Sequence, residues 1–240
     1  NISDSIIYGC PYGGNMEMFK YSANNQTLET FSQYPKGLHF LDDRGKTNLY
    51  AYFIASKPDN KKFVKAYENQ GILEIFDLQK DQNLTISYKD FPTLEENCKL
   101  ERSLKNLPFD ENKLIFCWGV QATNKYIYAR IYNDKYKNMV NGDEPSRYFI
   151  PEIHVFNWSG NPVAVIKLNN YYDNFAIDLN DKFLYTCESY YPNIINRYNL
   201  NEFINLTSNK KGKREFTDAN NPVVNSAEFV PSGSCNSTNM

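Results

Sequence analysis

An all-β chain, built from four-stranded antiparallel units repeated around an axis, is what this sequence predicts, on three observations. Aromatic residues reach 15% of 240 residues, with 19 Tyr and 16 Phe, and such rings favour strands over helices. Four separated segments share one period-two pattern: MEMFKY at 16–21, LEIFDL at 73–78, IHVFNW at 153–158 and INRYNL at 195–200. Upstream of three of them stands a second unit, an apolar stretch, a tight polar turn and an aromatic-rich stretch. Strict alternation is how a strand reads when its two faces meet different surroundings.

The elements follow in order. The upstream units are YFIASKPDNKKFVKAY, WGVQATNKYIYARIY and FAIDLNDKFLYTCESYY. Their turns, at 58–61, 123–125 and 180–182, are rich in residues that cap themselves and tolerate left-handed backbone, so each unit reads as an antiparallel hairpin. Downstream, after further polar turns, come TLETFSQYP, NLTISYKDFP and PVAVIKLNNYY. Strand, turn, strand, loop, strand, turn, strand is a four-stranded meander, the blade of a β-propeller. The anchors Phe19, Phe76, Phe156 and Tyr198 are about 57, 80 and 42 residues apart, as expected of a repeat carrying insertions at 94–112 and 133–150. The one stretch with helical character is 93–107, between blades. The blades are expected at about 1–35, 48–92, 114–172 and 174–217, within a single propeller domain of residues 1–240 ending in a polar tail at 218–240. Within and ahead of that tail, 214–217 and 227–230 read as strand cores.

Composition narrows the function classes. Twenty-six basic against 28 acidic side chains give a net charge of −2, and no run of five like charges occurs, which disfavours binding driven by a phosphate backbone. Lys210, Lys211, Lys213 and Arg214 read as a solvated face. No apolar run approaches the roughly 20 residues a bilayer demands. Cys10, Cys98, Cys117, Cys187 and Cys235 lie far apart without a CxxC pair, so no zinc knuckle or redox dithiol is written; Cys117 and Cys187 suit strand positions facing a core. The sequence begins at Asn1, which suggests a processed or trimmed form.

Three stretches carry a resemblance: NLYAYFIASKPDNKKFVKAYENQGILEIFDL, IFCWGVQATNKYIYARIYNDKY, and PEIHVFNWSGNPVAVIKL followed by FAIDLNDKFLY. From about Ile2 to Leu200 the chain resembles the TolB-like six-bladed β-propeller proteins of the cell envelope of Gram-negative gut anaerobes, often lipoproteins. The resemblance implies a propeller of six blades in full, and a periplasmic or outer-membrane location with a lipid anchor outside this chain. Four blades are legible, so a ring truncated or partly covered by this sequence is expected over a closed smaller ring or a further blade supplied by 201–240.

Catalytic chemistry is thinly represented. His39, beside Asp42 and Asp43, reads as a loop residue, and His154, inside a strand pattern, as structural. The pairs Asp42-Asp43 and Glu95-Glu96 point apart in extended chain, and Asp178 and Glu188 flank one hairpin. No nucleophile elbow, phosphate loop, HExxH or calcium loop is present. No cofactor and no metal site is therefore expected. The sequons at Asn1, Asn25, Asn83, Asn157, Asn205 and Asn236 carry no weight in a chain so rich in Asn, Ser and Thr.

Topology supplies the candidate site instead. In such a meander the second-to-third loops and the links between blades gather at one end, opposite the tight turns. Those loops, 10–15, 68–71, 133–150 and 189–193, bring Tyr12, Tyr132, Tyr136, Arg147, Tyr148, Tyr190 and Tyr191. Tyrosines beside an arginine on a stiff scaffold suit recognition of a protein or glycan, while the same rings also suit packing between blades. The expected function is a non-enzymatic binding module of the cell envelope. A metal-dependent hydrolase or lactonase of propeller type is the alternative from another class, and a structural spacer a third.

Overall fold

The computed structural model describes residues 6–9, 16–33, 46, 49–88, 114–135, 150–188, 191–201, 227–230 and 236–238. Sheet one comprises β1 (Ile6–Gly9), β2 (Met16–Ser22) and β3 (Thr27–Gln33). Sheet two comprises β4 (Tyr52–Ser56), β5 (Lys62–Tyr67), β6 (Ile72–Asp77) and β7 (Gln82–Ser87). Sheet three holds β8 (Leu114–Ala122), β9 (Tyr126–Lys135), β10 (Glu152–Asn157) and β11 (Pro162–Leu168). Sheet four holds β12 (Asn174–Ile177), β13 (Phe183–Glu188) and β14 (Tyr191–Asn199). Among β1 to β14 every pairing is antiparallel between sequence neighbours, so each sheet is a meander; the four repeated segments fall on β2, β6, β10 and β14.

Two further strands, β15 (Ala227–Val230) and β16 (Asn236–Thr238), join the outer edges of β11 and β7. The first is one of the two strand cores the sequence suggests near the tail; the other, 214–217, lies outside the described residues, as does the helical stretch at 93–107. Asn-Ser-Thr carries no strand pattern of its own, because edge pairing uses backbone groups and needs no apolar face.

Alternation decides how the sheets stack. Along β5, Phe63 packs toward sheet one with Met18 and Phe76, while Val64 and Ala66 pack toward sheet three with Phe116, Ile127 and Ala129. Along β9, Ile127, Ala129 and Ile131 face sheet two, and Tyr128 faces sheet four with Leu184 and Phe175. The four sheets thus lie face to face in chain order. Their first strands adjoin, β4 against β8 and β8 against β12. Sheets stacked by their faces yet gathered by their first strands make a fan of radial blades, the propeller arrangement. At its end the register changes character: Leu73 and Ile153 are fully buried, whereas Ile195, in the same register on β14, is 69% exposed.

The tight turns lie at the other end of the strands from the second-to-third loops. Asn60, Asp81 and Asp181 take left-handed backbone in them at φ of 56, 53 and 57°, and Gly160 does so at 78°. Aspartates close these turns: Asp178 Oδ1 accepts the backbone N–H of Lys182 and Phe183, and Asp77 Oδ1 that of Gln79. Tyr128, fully buried in sheet three, donates its hydroxyl to Asp181 Oδ1 at 2.8 Å and ties the turn of sheet four to its neighbour.

His154 takes a structural place on β10. Its Nδ1 lies 2.8 Å from the Tyr88 hydroxyl beyond β7, and its Nε2 3.1 Å from Glu152 Oε2. With Lys167 Nζ 2.6 Å from its other oxygen, Glu152 is held down at about 2, the hydrogen bond from His154 being the largest cause. A carboxylate pKa depressed in the folded state stabilises above the unfolded value and loses that contribution as pH falls through the folded one. We expect the wild-type protein to lose on the order of 1 kcal/mol between about pH 4.5 and pH 2, discounted for the exposure of the Glu152 side chain. Urea melts of Glu152→Gln over the same range should lack that slope; an equal slope in both proteins would show another group responsible.

Candidate functional site

The end of the inner strands where the second-to-third loops emerge holds a cavity of about 450 Å³. Sheet two contributes Phe53 and Ile54 from the start of β4, and sheet four Asn174 and Phe175 from the start of β12. Trp118, Gly119, Val120 and Gln121 of β8 form its third wall, and Arg130 and Tyr132 of β9 reach in from behind. Tyr171 and Asp173, on the link between sheets three and four, close it. The volume lies in the range of small-ligand sites, and mixed aromatic walls with a few convergent polar groups are their usual lining.

Local sequence builds this shape. The β8–β9 register shifts between Cys117 and Val120, a bulge in FCWGVQ that the glycine allows, since Gly119 sits at φ 142°. A Cβ on Gly119 would lie 3.7 Å from Arg130 Nε and from Phe175 Cε1, so the glycine leaves room in front of the guanidinium. Within the bulge the Trp118 carbonyl accepts from Arg130 Nε at 2.9 Å and from Nη2 as well. Arg130 is 5% exposed, its guanidinium carbon 5.5 Å from the centre of the Tyr132 ring. Its remaining nitrogen, Nη1, is buried without a hydrogen-bond partner among the described residues.

Burial sets the protonation of the other groups. It raises the Tyr132 phenol above its ordinary value, although the Arg130 charge pulls the other way. Tyr171 is raised by burial and by the hydrogen bond its hydroxyl donates to Asp173 Oδ1 at 2.5 Å. Both phenols are protonated at neutral pH, and the cavity wall offers hydroxyls rather than a phenolate base. Burial pushes the Cys117 thiol up to about 12, which leaves it inert as a nucleophile. Cys187 is half-buried, on the face of β13 turned away from sheet three. Among the described residues no three His, Cys, Asp or Glu side chains converge as a metal-binding group, and the cavity wall contributes a single carboxylate, Asp173.

Of the residues singled out in the sequence, Tyr132 lies in this cavity, 6% exposed. Tyr191 opens β14, paired with Glu188; Tyr12, Tyr136, Arg147, Tyr148 and Tyr190 lie outside the described residues. Arg130 was not singled out. Its signal was a lone cation inside the apolar alternation YIYARIY, at the register where β5 carries Ala66 and β13 carries Cys187.

A family model described as TolB-like 6-blade propeller-like matches residues 18–180. Among solved structures, a chain of a mitotic checkpoint complex is similar at a TM-score of 0.43 and 7% identity, covering 79% of this chain and 42% of that one. TolB from Acinetobacter baumannii is similar at 0.36 and 11%, covering 77% of this chain and 35% of its own. The chain spans less than half the length of either. No curated protein matches the sequence. Among the described residues no helix is long and apolar enough to cross a membrane.

Proposed function

Because the chain belongs to the TolB-like six-bladed propeller family, we propose that it is a non-enzymatic binding module of the bacterial cell envelope, holding a protein or carbohydrate partner at the loop-bearing end of its blades. In this reading residues 1–240 act as one propeller domain, and Tyr12, Tyr136, Arg147, Tyr148, Tyr190 and Tyr191 take part in partner binding together with Tyr132 of the cavity wall. The observation that carries it is the cavity itself. A rigid pocket walled by three consecutive blades, with Trp118, Tyr132 and Phe175 around a buried guanidinium, is a recognition surface presented on a scaffold that need not move.

Site-specific photocrosslinking tests the reading. A benzophenone side chain placed at exposed Asn174, on the cavity wall, should form a discrete adduct when the protein is irradiated in bacterial envelope extract. The same group at Lys61 or Asn180, exposed in the tight turns at the other end, should give none. Adducts from the turns alone, or no adduct from Asn174, would overturn it.

A further inference from the structure

Among the described residues two cations, Lys65 and Arg130, are buried on second strands of the blades, and they are treated differently. Lys65 of β5 is fully buried, but its Nζ meets Glu17 Oε1 at 2.5 Å and Glu74 Oε2 at 3.3 Å, so its charge is answered within the fold. Arg130 of β9 is 5% exposed and makes no ion pair among the described residues; its donors reach one carbonyl oxygen, and Nη1 reaches nothing. A buried charge without a direct ion pair is costly, and guanidinium cannot shed its proton to escape the cost. A fold that keeps such a group at the wall of a 450 Å³ cavity, with a glycine bulge clearing the space before it, has the makings of an anion site.

We infer that the cavity takes a monocarboxylate with an apolar or aromatic body, its carboxylate on the Arg130 guanidinium and its body against Phe53, Trp118 and Phe175. This deepens the binding-module reading by naming the chemistry of what enters the cavity. Arg130 and the Asp173 carboxylate in the same wall leave no surplus positive charge, so a doubly charged phosphate is disfavoured more than a monocarboxylate. The aromatic and aliphatic walls would leave an inorganic anion poorly solvated on every side but one. A carboxylate seated on guanidinium gains charge-assisted hydrogen bonds while the rings cover the rest of the ligand.

The experiment titrates the intact chain, labelled with ¹⁵N-arginine, and follows the Arg130 side-chain resonances by NMR. Four probes are used: phenylacetate, hexanoate, neutral phenylacetamide and inorganic phosphate. Both carboxylates should move the Arg130 signals saturably, phenylacetamide and phosphate should not, and Arg130→Lys should weaken phenylacetate by more than about tenfold. Because wild-type resonances are read directly, the result stands even if the variant folds poorly. Silence of Arg130 toward both carboxylates, or an equal response to phosphate or to the amide, overturns the inference. The titration needs no macromolecular partner, so a silent Arg130 with an Asn174 adduct intact sinks the carboxylate site alone, and the reverse pattern sinks the binding module alone.

Discussion

Lys65→Met is expected to cost about 3–5 kcal/mol of folding stability, the largest loss of any single substitution considered. Lys65 bridges sheets one and two: its ammonium donates to Glu17 Oε1, Glu74 Oε2 and the Tyr67 hydroxyl, and stands 4.6 Å from the ring centres of both Tyr52 and Tyr67. Ser32 donates to the other oxygen of Glu17, so the carboxylate is held on both sides. Methionine keeps the volume of the stem but removes the charge, leaving Glu17, 3% exposed, as a buried anion beside a second carboxylate. The loss is that uncompensated charge rather than the worth of the pair. Lys65→Met with Glu17→Met should therefore recover most of it, measured by urea denaturation. A single variant within about 1 kcal/mol of wild type, or a double variant no better than the single, would show that the network is not what joins the two blades.

The same contrast explains what could be read before the structure. Strand identity was legible because the third strands repeat a pattern in which one face meets the preceding blade and the other the next: Phe76 and Ile75, or Phe156 and Val155, divide in this way. The turns were legible because Asn60, Asp81 and Asp181 are residue types that accept left-handed backbone. What was hidden depends on contacts between distant residues. Nothing in KFVKAY announces that Lys65 is answered by Glu17, 48 residues away on another sheet. Arg130 is a similar case with the opposite outcome, since a cation in an apolar run is costly until its surroundings are known. The bulge at Gly119 carried a signal, a glycine inside a strand pattern, but the cavity it opens is walled by three blades whose mutual placement no local pattern encodes.

Gly160→Ala is expected to cost about 2–4 kcal/mol through two separable causes. Gly160 closes the turn between β10 and β11 at φ 78°, where an L side chain pays roughly 1–2 kcal/mol. The turn is fixed around it: Asn157 Oδ1 accepts the N–H of both Ser159 and Asn161, and Gly160 N–H reaches the Asn157 carbonyl at 3.0 Å. Trp158, buried and donating to the Thr123 carbonyl, holds it from the other side. A new Cβ would come within 2.4 Å of Leu84 Cδ2 on sheet two, the end of a half-buried side chain that must turn aside, which puts the steric cost at the low end of the about 1–3 kcal/mol of overpacking. Shortening the neighbour separates the causes. In a Leu84→Ala background the steric part has room to vanish, and Gly160→Ala should then cost only the backbone part, about 1–2 kcal/mol. Thermal melts of the four proteins read this directly, a 3 kcal/mol loss corresponding to a fall of roughly 6–12 °C at this chain length. An unchanged penalty in the Leu84→Ala background would mean that sheets two and three do not press together at this turn, and the face-to-face stacking of the blades would have to be redrawn there.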